Sequence, residues 1–145
     1  MKEEIMKRIL LIAAALGAAL IAAAVLGAEP APEKTADEAA QKWLGIVDSG
    51  KYAESWAAAC ELFKKAVTAE QWETAVRSAR GPLGKLLSRR LDKAQFTRSL
   101  PGAPEGEYVV LRYDASFENH KSAVETVTTT KEKDGSWRVA GYFVK

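Results

Sequence analysis

The hydrophobic period of this chain changes once, and that change limits the fold more than any other feature. Before about residue 84, apolar side chains recur three or four positions apart, the spacing of amphipathic helices; beyond it they alternate, the spacing of strands. Helices followed by strands without internal repeats imply an α+β domain, with the helices gathered on one face of an antiparallel sheet. The chain has 145 residues, 48% hydrophobic and 28% charged, which is room for one such core.

In the helical half, Thr35-Ala-Asp-Glu38 is a capping-box pattern, and Ala39, Ala40, Trp43, Leu44 and Val47 follow at helical spacing. This predicts a first helix over residues 35–48, closed by Gly50. A second begins at Tyr52, with Trp56, Cys60, Phe63 and Val67 on one face. Thr68-Ala-Glu-Gln71 caps a third, which carries Trp72, Ala75, Val76 and Ala79 until Gly81-Pro82 breaks it. Strands are expected over 85–98, bent near Asp92 where the alternation slips, then over 108–117, 123–131 and 137–144. The expected architecture is three helices on a curved, cone-like, four-stranded antiparallel sheet.

Ahead of this domain, residues 9–28 are uncharged and apolar behind a head carrying Lys2, Lys7 and Arg8, the layout of a signal peptide. Glu3 and Glu4 are foreign to such a head, and a start at Met6 would remove them. The small residues Gly27 and Ala28 suit cleavage there, leaving residues 29–34 as a Pro/Ala/Glu linker and 35–145 as the domain. The location implied is periplasmic or secreted; the alternative is an inner-membrane anchor formed by residues 9–28. Contact with the membrane is expected only through that segment.

Net charge is +2, with Lys and Arg scattered along the chain, so nucleic-acid binding finds no support. Cys60 is the only cysteine and His120 the only histidine. Neither a disulfide nor the usual metal-ligand spacings can be built from them, and no cofactor motif is present. Cys60 shares its face with Trp56 and Phe63 and reads as a buried, inert thiol; His120 falls in a hairpin tip with Asn119 and Lys121.

Four segments resemble one family: Trp72, Arg80-Gly-Pro-Leu-Gly84, Leu100-Pro-Gly-Ala-Pro-Glu-Gly-Glu-Tyr108 and Gly135-Ser-Trp-Arg-Val-Ala-Gly-Tyr142. Their joint order is similar to that of the exported bacterial family known as domain of unknown function 4019, over about residues 39–144. The resemblance implies an envelope or secreted location and a fold like the cystatin and nuclear-transport-factor-2 groups. It implies no activity.

Two charges stand out against this background. Glu125 shares strand parity with Ala123 and Val127, and Arg89 has Leu87 and Leu91 on either side at the same parity. The other face of the Glu125 strand carries Val124, Thr126, Thr128 and Thr130, and parity alone does not decide which face is inward. Buried charges are seldom unpaired, so if both point into the concave side the two are expected to meet. Arg89 and Glu125, with Tyr113, Tyr142 and Arg80, are the ligand-contact candidates; Arg80 has the alternative task of satisfying the last carbonyls of its helix. No catalytic set emerges. The leading expectation is a non-catalytic envelope module binding a protein or small ligand through its concave face or its 100–108 loop. The alternatives are a small enzyme with Glu125 as base, and a cystatin-like inhibitor. Mass spectrometry of the exported protein should place its N-terminus near Ala28 or Glu29; an intact N-terminus in the membrane fraction would overturn the cleavage reading.

Overall fold

The computed structural model describes residues 29–145, and the expected signal segment lies outside the described residues. A compact unit spans Ala31–Lys145. Its helices are α1 (Pro32–Asp48), α2 (Tyr52–Ala58), α3 (Glu61–Ala66) and α4 (Ala69–Arg80), and a 3₁₀ turn (Gly81–Leu83) follows. The strands β1 (Leu86–Thr97), β2 (Tyr108–Phe117), β3 (His120–Lys131) and β4 (Trp137–Val144) form an antiparallel meander in the order β1-β2-β3-β4. The α+β class and the helix-on-sheet arrangement are as the hydrophobic periods require.

Helix α1 starts three residues before the capping box anticipated at Thr35. Pro32 occupies its first turn, where a fixed φ and a missing N–H cost nothing. The Thr35 hydroxyl therefore lies inside the helix and donates back to the Ala31 carbonyl. The second expected helix is two. At Ala59 and Cys60 the backbone turns extended, and the Cys60 N–H donates 2.9 Å to the Val139 carbonyl on β4. Cys60 is thus not on a helical face: its Sγ accepts from the Phe63 N–H as the cap of α3, although the thiol is buried as expected. Burial also raises its pKa. Only at Thr68 does the capping box form in full, with Gln71 as the reciprocal partner.

The helical layer is joined by Ser55, which is fully buried. Its carbonyl accepts from Trp43 Nε1 at 2.8 Å and its hydroxyl from Trp72 Nε1 at 2.9 Å. Trp43 and Trp72 lie 5.7 Å apart between centroids, with Phe63 edge-on to Trp72 at 5.2 Å. These rings cover Val109, Leu111, Val127 and Val139, the inward residues of the sheet. Trp56 instead donates to the Val67 carbonyl and is half-buried.

The bend anticipated near Asp92 is a bulge between Leu91 and Lys93, and the sheet carries three more. At its start, β1 is reached through Gly84, whose φ of +74° admits few other residues. A Cβ there would lie 2.9 Å from Glu118 Oε2 and 3.0 Å from Glu118 Cβ, whereas one on Gly50, at φ +72°, meets nothing within 4 Å. Gly50→Ala should cost about 1 kcal/mol of backbone strain, and Gly84→Ala about 2–4 kcal/mol because crowding adds to it. Urea midpoints of the two variants would test this; equal losses would mean that the 84–118 contact yields freely.

Candidate functional site

Strand parity turns Arg89 and Glu125 to the helical side of the sheet, where Arg89 Nε donates to Glu125 Oε1 at 2.7 Å. The remaining Arg89 nitrogens grip a residue that the sequence reading missed. Nη1 and Nη2 donate to the two oxygens of Asp48, at 2.8 and 2.9 Å, in the fork-to-fork geometry that suits guanidinium and carboxylate. Asp48 also accepts from Arg80 Nη2 at 2.7 Å. Arg80 therefore does not serve the carbonyls of its own helix: it lies on the buried stripe of Trp72 and Val76 and reaches across to α1. Its Nη1 lies 3.7 Å from Glu125 Oε2, and its guanidinium stacks 4.8 Å over the Phe117 ring.

Tyr142 completes the group by donating its hydroxyl to Glu125 Oε2. Tyr113 does not join it. Although β2 sets Tyr113 opposite Glu125, its hydroxyl donates to Asp37 on α1, which Gln41 also holds. Four of the five candidates thus converge, and Asp37 and Asp48 were not anticipated. A signal for Asp48 existed: a carboxylate in the last turn of a helix opposes the helix dipole and calls for a cation from elsewhere.

The two positive and two negative charges balance by count. Side-chain exposure is 0% for Glu125, 7% for Arg80, 12% for Arg89 and 21% for Asp48. Burial alone would raise the Asp48 carboxyl, but hydrogen bonds from Arg89 and Arg80 outweigh it and hold the pKa below the usual range. Burial would likewise lower Arg89, yet its bonds to Asp48 and Glu125 push it up. Desolvation and the Glu125 charge raise the Tyr142 phenol well above its ordinary value. Every shift locks in the protonation state that the network needs. Arg80 Nε has no hydrogen-bond partner, the one such buried side-chain atom among the described residues.

A general base needs a lone pair facing a substrate. Glu125 has no accessible surface, and both its oxygens are engaged by Arg89, Tyr142 and Arg80. Around Glu125 the helical side of the sheet is packed with side chains.

Open space lies elsewhere. A groove of about 520 Å³ runs over the outer face of the sheet, past Ser88, Arg90, Asp114, Ser116, Lys121 and Ser122. A second, of about 430 Å³, separates α1 from β4 between Ile46, Trp43, Trp137 and Val139. Within the 100–108 loop the Tyr108 hydroxyl donates 2.6 Å to the Pro104 carbonyl, and a further groove of about 600 Å³ lies along the loop past Arg98, Ser99, Glu105 and Glu107. His120 opens β3 opposite Phe117 and is half-buried, with the turn at Glu118 and Asn119.

A family model described as "Protein of unknown function (DUF4019)" matches residues 39–142. The chain belongs to the DUF4019 family. The DUF4019 match contains Asp48, Arg80, Arg89 and Glu125 and ends on Tyr142, so it encloses the whole ionic group. Asp37 falls just outside it. No curated protein matches the chain.

Denaturant unfolding of Arg89→Met, Glu125→Gln and the double variant should reveal the coupling. Each single change leaves a desolvated partner, at about 3–5 kcal/mol. The double change should cost less than the two losses added, by about 1–3 kcal/mol. Additivity within about 0.5 kcal/mol would mean that the contact contributes nothing.

Proposed function

We propose that this protein is an exported, non-catalytic binding domain of the cell envelope that meets its ligand on the outer face of the sheet. One observation carries the reading: Glu125, the carboxylate at the centre of the ionic group, has no accessible surface and both its oxygens are engaged, while an open groove runs over the outer face of the sheet. Arg80, Arg89, Glu125 and Tyr142 then act as the support of the domain rather than as ligand contacts. An enzyme built on Glu125 would need an opening to that carboxylate, and its 0% exposure argues against one. The location in the envelope rests on the charged head and apolar run of residues 1–28.

Val124 lines the groove, and Ala57 is an exposed position on α2. A photo-crosslinking residue placed at each, in the full chain expressed in cells, separates specific from incidental contact. Val124 should yield a discrete adduct in the envelope fraction, and Ala57 should not. No adduct from Val124, or the same adducts from both positions, would overturn the reading.

A further inference from the structure

The outer groove owes its form to two irregularities at one level of the sheet. Leu86 is opposite Phe117 and Ser88 is opposite Ser116, so Leu87 is the extra residue of a bulge in β1. On the other side of β2, Ala115 is opposite Ala123 while Phe117 is opposite His120. Lys121 and Ser122 therefore both oppose the single residue Ser116. A bulge bends its strand and redirects side chains, and one lies on each flank of Ser116.

The result is a row of hydroxyls across three strands, Ser88, Ser116 and Ser122, with cations at its borders. Arg90 is spoken for, since its Nη2 lies 2.8 Å from Asp114 Oδ2. Lys121 takes part in none of the ion pairs found among the described residues. With the Asp114 carboxylate of the same lining held by Arg90, one ammonium outside the ion pairs of the described residues beside three groups able to donate is the donor set of a tetrahedral oxyanion. The lining offers no aromatic ring on which a sugar or base could stack, and its volume is within the range of small-ligand sites.

We infer that this groove binds a phosphate group carried by a larger molecule, with Lys121 supplying the charge and Ser88, Ser116 and Ser122 the directed hydrogen bonds. The inference rests on the binding reading above and names its ligand chemistry. The phosphate could belong to a lipid headgroup or to a soluble phosphorylated polyol, and the two sources are separated by the test.

The protein in its exported form, ¹⁵N-labelled, is titrated with inorganic phosphate and with glycerol 3-phosphate. Amide shifts should move and saturate at Ser88, Ser116, Lys121 and Ser122, while Lys131 stays still. Ser116→Ala and Lys121→Gln should each weaken binding by about fivefold or more, and Lys121→Arg should retain it. Co-sedimentation with phosphatidylglycerol vesicles, lost in Lys121→Gln, would assign the lipid source; saturation by glycerol 3-phosphate without vesicle binding would assign the soluble one. Shifts that never saturate, that include Lys131 equally, or that ignore both substitutions would overturn the inference. An adduct from Val124 without phosphate binding would remove this inference and leave the binding reading in place.

Discussion

The edge strand β1 is hydrogen-bonded to the sheet on one side only, and beside the packing of Ala94 and Phe96 it is the Arg89 guanidinium that ties it to the end of α1. One side chain spans Glu125, two strands away, and Asp48 at the end of α1, while Arg80 brings the end of α4 to the same carboxylates. Removing any one charge strands the others in a place that water scarcely reaches, so the four stand or fall together. A buried ionic group is seldom a large source of net stability, because desolvation offsets most of the attraction. Here it decides orientation: the ends of α1 and α4 have one position in which both carboxylates are satisfied.

Apolar packing does the complementary work. The inward rows of β2, β3 and β4 would accept many helix placements, since the hydrophobic effect has no direction. Directed bonds narrow the choice. The Ser55 carbonyl and hydroxyl take the indole N–H groups of Trp43 and Trp72, and the Cys60 N–H joins the α2–α3 junction to Val139. Large rings thereby gain fixed positions as well as buried area, and a domain without a disulfide holds one arrangement of its core.

What could be read in advance follows from which forces are local. Period-two alternation is set residue by residue, so the parity that Glu125 shares with Ala123 and Val127 and the bulge at Asp92 were legible; which face turns inward was not, and of the two neighbours used for Arg89, Leu87 falls in a bulge and is 55% exposed. Asp48 was not, because its partners come from α4 and β1, and at its own position it resembled an ordinary helix end. The break at Ala59 was hidden for a similar reason. Trp56, Cys60 and Phe63 keep helical spacing by coincidence, and the bond that extends the chain there is made to a strand nearly eighty residues away. Thr35 shows the opposite case, a local signal overruled by a stronger local one, the proline three residues before it.

The bulges in β1 bear also on how copies of the protein behave in a crowded compartment. An exposed, flat strand of twelve residues would offer its free backbone groups to any other extended chain. In β1 the run is interrupted at Leu87 and again at Asp92, and Arg90, Asp92 and Lys93 place exposed charges between the interruptions and at the second one. Another chain could keep register with it for only four or five residues before the pairing slips. The kinks that shape the serine row thus also shorten the stretch of this border that another extended chain could pair with.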